Sequence, residues 1–218
     1  MKKLMYLFLA MVLCIPAIAQ DAAGPVEVEQ EDIVGDQVYR EIIIEDFEKN
    51  EYSSKNGTLR ITKDQQFDIQ MRTDFPAPVK DSKKYMGIKL YGKQGDPLSI
   101  KPPVKLLISD HAQSISLWVY GKNFSGELSI MLKDANEKVH RLSMGKLNFL
   151  GWRKLTYRLG KTVAQEDKFL SQPKNLEILQ IIYSPGNSGR LPMWHYFYID
   201  DISAKVRKKY EDKQTDNW

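Results

Sequence analysis

From Tyr39 onward the apolar residues fall in short runs separated by turn-forming residues. Several runs alternate. Ile115, Leu117 and Val119 oppose Ser116, Trp118 and Tyr120, the period-two pattern of a strand with one face in a core. The pattern predicts strands at Tyr39–Phe47, Thr58–Thr62, Phe67–Arg72, Tyr85–Tyr91, Lys105–Ser109, Ser114–Tyr120, Glu127–Leu132, Lys138–Ser143, Arg153–Leu159, Leu176–Tyr183 and Trp194–Val206. Lys133–Glu137 (KDANE) reads as a hairpin turn between two of them. Gly92–Pro97, Lys101–Pro103 and Ser184–Pro192 carry Gly and Pro that a ladder cannot run through. Long helical periodicity is lacking; Lys161–Leu170 is read as one or two helical turns ahead of Pro173. Many short strands with turn signals between them predict an all-β fold, a jelly-roll β-sandwich.

The segments around this body differ from it. Residues 1–19 read as a secretory signal peptide. Lys2 and Lys3 precede an apolar stretch, Leu4–Ile15, too short for a comfortable membrane span, and Ala17-Ile18-Ala19 supplies small residues for cleavage before Gln20. Cys14 is the only cysteine. Leu13 stands before it where lipidation expects a small residue, so ordinary cleavage is expected and no disulfide, thiol nucleophile or Cys-based metal site remains. No later run is long and apolar enough for a span, so export without membrane insertion is expected. Residues 20–38 form an acidic arm without apolar periodicity, 39–206 the sandwich, and 207–218 a charged tail.

Charge is distributed unevenly. Residues 20–48 carry ten acids against one base, Arg40, whereas residues 49–218 carry 29 bases against 18 acids. Such asymmetry suits two readings: an acidic arm solvated beside a basic domain, or an arm, with Glu27, Glu29, Glu31 and Asp32, lying on a basic surface of its own or a neighbouring chain. Export and interspersed acids argue against a nucleic-acid partner.

Catalytic chemistry finds little support. His111, His140 and His195 lack metal-ligand spacing, and there is no G-x-S-x-G, H-E-x-x-H or phosphate-cradling glycine loop. His195, between Trp194 and Tyr196, is expected to pack on its strand. Asp200 and Asp201, as neighbours on a strand, are expected on opposite faces and so do not converge on one bond. If the first and last strands lie together, Asp46, Glu48 and Asp201 can approach one another, and carboxylate oxygens suit a structural calcium ion; no other cofactor is expected. Trp118, Tyr120, Trp152, Tyr157 and Tyr183 are expected in core and cross-strand packing rather than in a sugar-stacking platform.

Three motifs stand in order: Trp118-Val119-Tyr120-Gly121, then Phe149-Leu150-Gly151-Trp152-Arg153-Lys154-Leu155, then Tyr198-Ile199-Asp200-Asp201-Ile202 within the aromatic run Met193–Ile202. Together they resemble the flagellar filament outer-layer (sheath) protein A family of spirochaetes, over roughly Ile42 to Ala204. The resemblance implies a galactose-binding-like jelly roll. It also implies a structural, non-enzymatic subunit of the sheath of periplasmic flagella, with core flagellin, other sheath proteins and copies of itself as partners. The chain is short for that family, which suits the smaller of two sheath paralogues; its acidic arm and basic tail have no counterpart in the family pattern. The other reading the residues allow is a periplasmic carbohydrate-binding module, which needs exposed, aligned aromatic rings.

Overall fold

A computed structural model describes residues 39–59, 66–166, 174–186 and 191–208. The contacts divide the chain into residues 1–32 and 33–218, and all described residues belong to the second unit. The leader, the acidic arm with Glu27, Glu29, Glu31 and Asp32, and all of the C-terminal tail beyond Lys208 lie outside the described residues.

The strands are β1 (Arg40–Glu45), β2 (Gly57–Leu59), β3 (Gln66–Arg72), β4 (Tyr85–Gly92), β5 (Leu98–Ile100), β6 (Leu106–Ile108), β7 (His111–Lys122), β8 (Glu127–Lys133), β9 (Val139–Lys146), β10 (Leu150–Arg158), β11 (Leu176–Ser184) and β12 (Met193–Arg207). They form two antiparallel sheets. The first runs β10-β7-β12-β4-β3, with β1 also on β12; the second runs β2-β5-β11-β8-β9, with β6 also on β11. Neighbours in the sheets are mostly distant in sequence, and the result is a jelly-roll β-sandwich.

Alternation explains the core. Ile115, Leu117 and Val119 of β7, with Phe197, Ile199 and Ile202 of β12, are buried against Leu128, Ile130 and Leu132 of β8 and Ile178, Ile181 and Tyr183 of β11. The KDANE hairpin forms as expected. Asp134 Oδ1 accepts the amides of Asn136 and Lys138, its Oδ2 meets His140 Nε2, and Glu137 takes positive φ. β5 escapes the sequence pattern, because Leu98–Ile100 is a three-residue run between proline-bearing turns. Residues 161–166 form turns rather than the expected helix start; 167–170 lie outside the described residues.

Two glycines of the sequence motifs have separate reasons to be glycine. Gly151 has φ of 95°, a region L side chains avoid. Gly121, its partner across the β10–β7 ladder, lies so close to Phe149 that a Cβ would stand 2.5 Å from the Phe149 carbonyl oxygen.

Candidate functional site

The outer face of the first sheet is built by residues one step out of phase with the core. Along β12 these are Trp194, Tyr196, Tyr198 and Asp200. The register sets Tyr198 beside Tyr120 of β7, Tyr120 beside Trp152 of β10, Tyr196 beside Lys89 of β4, and Trp194 beside Tyr91. Trp118, Tyr120, Trp152 and Trp194 are all only partly buried. The expected core packing holds for Tyr183, which is fully buried, and for Tyr157, packed on the core margin. The expected cross-strand packing holds for Tyr120 and Trp152, which meet across the β7–β10 ladder. All three of Trp118, Tyr120 and Trp152 lie on the outer face. Period two sends them outward, and hydrophobicity alone does not report which phase faces the core.

The rings support one another edge to face. Tyr85 meets Trp152 and Tyr198, and Tyr120 meets Trp152, Tyr198 and Phe75, with centroids 5.5–6.1 Å apart. Phe75 is 60% exposed and belongs to the segment between β3 and β4, which crosses this face. The Trp152 indole donates to the Phe75 carbonyl (3.2 Å), and the Ala77 amide and Ser82 hydroxyl donate to Asp200 Oδ2 at 3.0 and 2.8 Å. Beside this crossing, Asp74, Phe75, Tyr85, Tyr120, Lys122 and Tyr198 line an open depression of about 230 Å³.

Beyond the crossing, cations lie over the rings. Lys89 Nζ is 4.2 Å from the Trp194 centroid and 5.9 Å from that of Tyr196; Lys122 Nζ is 5.7 and 5.4 Å from Tyr196 and Tyr198. Neither lysine takes part in an ion pair among the described residues. Asp68, opposite Lys89 on β3, has its carboxylate engaged by Ser54 and Gln70, and Asp74 is engaged by Arg72 and the Tyr85 hydroxyl.

An acidic cluster occupies the other side of the crossing. β1 does pair with β12, as Asp46, Glu48 and Asp201 required. The regular alternation behind the expectation of opposite faces for Asp200 and Asp201 is interrupted here. A β-bulge lies between Asp200 and Ile202, and Asp201 is its extra residue, at φ of 35°. Burial, then Asp200, Asp46, Glu48 and Glu41, push the Asp201 carboxyl up to about 6. Burial also raises Asp200, against its hydrogen bonds from Ala77 and Ser82. Glu48 Oε1 accepts the amides of Lys83 and Lys84, and Asp46 Oδ1 accepts the Glu48 amide. The structure thus brings the three calcium candidates into electrostatic reach. Among the described residues, however, no group of three His, Cys, Asp or Glu side chains is arranged to hold a metal ion.

His195 is fully buried, with Nδ1 2.9 Å from the Tyr183 hydroxyl; burial holds its imidazole below the ordinary histidine range, opposed by a backbone hydrogen bond to Gly92. It packs, as its place between Trp194 and Tyr196 suggested. No helix among the described residues is long and apolar enough to cross a membrane.

These features define an all-β sandwich of jelly-roll type whose first sheet carries an aromatic and cationic outer face. Residues 105–205 match the family of the flagellar filament outer layer protein FlaA. A flagellar filament outer layer-like protein of Brachyspira hyodysenteriae is 28% identical over 156 residues, 66% of this chain and 70% of that protein. Over this shared region the chain is similar to the flagellar filament outer layer family, and the resemblance carried by the three motifs is borne out. Among solved structures, the family 11 carbohydrate-binding module of a Clostridium thermocellum cellulosomal cellulase aligns with a TM-score of 0.44 at 11% identity, over 79% of this chain and 98% of that one. A carbohydrate-binding module of the β-sandwich superfamily aligns at 0.43 and 13%, over 67% of this chain and 56% of its own.

Proposed function

We propose that this chain is a non-enzymatic subunit of the outer sheath of periplasmic flagellar filaments, laid on a flagellin core and setting filament stiffness and curvature. The family match over β6–β12 carries the reading. Physical chemistry is consistent with it. Two cross-laddered sheets sharing one core resist shear, so many copies along a filament would add bending stiffness. The reading includes export by the leader, residence in the periplasm, and contacts with core flagellin, with other sheath proteins and with copies of the same chain.

The test is location. Outer membranes are stripped with mild detergent, periplasmic flagella are purified, and the chain is sought by mass spectrometry and immunogold. Labelling along the filament that salt or acid removes before the core dissolves supports a sheath subunit. A chain found only in soluble periplasm or on the cell wall rejects it.

A second reading, a periplasmic glycan-binding module, is favoured by one observation: Trp118, Trp152 and Trp194 are all partly exposed on one face. Sugars stack on open ring faces. Here Lys89 lies over Trp194, and Trp152 presents its contacts edge-on to Tyr85 and Tyr120. Depletion of the chain by insoluble peptidoglycan or β-glucan, abolished by Trp194→Ala, would put this reading first.

A further inference from the structure

The outer face of the first sheet has two ends, divided by the β3–β4 segment. At one end Glu41 pairs with Lys154 and accepts from Ser203, and Asp200 accepts from the Ala77 amide and the Ser82 hydroxyl. At the other, Lys89 and Lys122 hold positive charge over Trp194, Tyr196 and Tyr198 with no carboxylate of the described residues bound to either. Both lysines are exposed. An ammonium seated on a ring presents its remaining N–H donors outward, so this end suits an anion flanked by apolar groups.

The chain itself supplies such a partner. Residues 20–38 hold six acidic and no basic side chains, interspersed with Val26, Val28, Ile33 and Val34. Their point of attachment decides between cis and trans. β1 begins at Arg40 opposite Val206, the level at which Arg207 pairs with His111 at the start of β7. Lys122 stands at the other end of β7, about 37 Å away at strand rise. Nineteen residues extend to at most about 65 Å, so length alone permits either route. The route back along the same molecule crosses the β3–β4 segment, which is fastened to Asp200 and Trp152. A neighbouring molecule placed end to end meets no such obstacle.

We propose that Trp194, Tyr196 and Tyr198, with Lys89 and Lys122, form the dock for the acidic segment 20–38 of a second copy of this chain, so that copies associate head to tail. The inference rests on the sheath reading and deepens it by naming a contact between copies. A donor at one end and an acceptor at the other make a heterologous interface that repeats without closing, the symmetry of a filament coat. The lysines favour the acidic peptide over a neutral sugar because they occupy the ring face a sugar would use. Charge complementarity of this kind sets orientation and is weakened by salt.

The experiment uses the chain from Gln20 onward in sedimentation velocity at low and high salt. Wild type is expected to form a concentration-dependent series that salt dissolves. K89E/K122E and E27K/E29K/E31K/D32K are each expected to weaken association at least about tenfold while keeping wild-type circular dichroism and melting temperature. An equimolar mixture of the two variants joins the intact acidic arm to the intact basic dock and the reversed arm to the reversed dock, and is expected to regain association that neither variant shows alone. Wild type that stays monomeric at low salt, or a mixture that gives no complex, overturns the inference. So does polygalacturonate or β-glucan binding that needs Trp194 but is indifferent to K89E/K122E; that result favours a glycan. On purified flagella, K89E/K122E present at the wild-type level overturns head-to-tail docking and leaves the sheath assignment standing. Wild type absent from filaments overturns the sheath reading itself.

Discussion

The outer faces of the two sheets, alike in topology, are finished differently. On the second sheet polar side chains are engaged by their neighbours within the sheet. Lys133 pairs with Glu177, Arg141 donates to Ser129 and Ser184, and Ser143 donates to Glu127. On the first sheet a network of aromatic rings carries Lys89 and Lys122 without carboxylate partners among the described residues. A sandwich needs only its inner faces for folding, so the composition of an outer face is free to serve something else. The difference is what the proposed dock on the first sheet would produce, and it leaves the second sheet no comparable cationic ring surface among the described residues.

The comparison breaks most visibly if the aromatic face proves to be core in disguise. Phe197 is 1% exposed between the sheets, and Tyr196 next to it points outward, partly exposed. Phe197→Ala is expected to cost about 3–5 kcal/mol in urea unfolding, and Tyr196→Ala about 1 kcal/mol. Equal costs would mean that the outer rings are packing and not a dock. Asp200→Ala comes next. It leaves the Ala77 amide and Ser82 hydroxyl without their acceptor, at about 2 kcal/mol. It should also open residues 73–84 to limited proteolysis while the sheets persist. Unchanged proteolysis would show that Asp200 does not fasten this segment.

The acidic side gives a pH prediction with a definite sign. Asp201 is held near 6 in the fold, above the ordinary Asp value, so the folded chain binds the proton more tightly than the unfolded chain. Its contribution is fully present below about pH 4 and is lost as pH rises through about 6. Asp201→Asn is therefore expected to raise stability at pH 7.5 by on the order of 1–3 kcal/mol and to have little effect at pH 4. Calcium offers the contrasting outcome. If Asp46, Glu48 and Asp201 hold the ion, EDTA lowers the wild-type melting temperature at pH 7.5, and Asp201→Asn destabilises rather than stabilises.

Much of this was legible in the chain. Alternation located most strands, and the aromatic run Met193–Ile202 announced the long strand β12 at the centre of the first sheet. The Y-I-D-D-I motif has a physical meaning: Tyr198 joins the outer rings, Ile199 and Ile202 fill the core, Asp200 fastens the β3–β4 segment and Asp201 forms the bulge. The bulge was not legible, because a one-residue insertion changes phase without changing composition. Nor was the pairing of Lys89 with Trp194, which needs the β4–β12 register and hence contacts more than a hundred residues apart. A signal did exist: Lys89 is the one charged residue in the otherwise uncharged strand Tyr85–Gly92, a position alternation assigns to the outer face.

The smallest expected effect sharpens the comparison by its absence. Lys133 and Arg141 lie on the second sheet, engaged by Glu177 and by Ser129 and Ser184, away from the rings of the first sheet. K133E/R141E removes as much positive charge as K89E/K122E and leaves the same net charge on the chain. Attraction of the arm by general basicity would weaken equally in both variants. Attraction by a site would weaken only in K89E/K122E. Sedimentation of the two side by side at low salt decides the matter: association is expected to survive K133E/R141E at the wild-type level, and equal loss in both would reduce the dock to diffuse electrostatics.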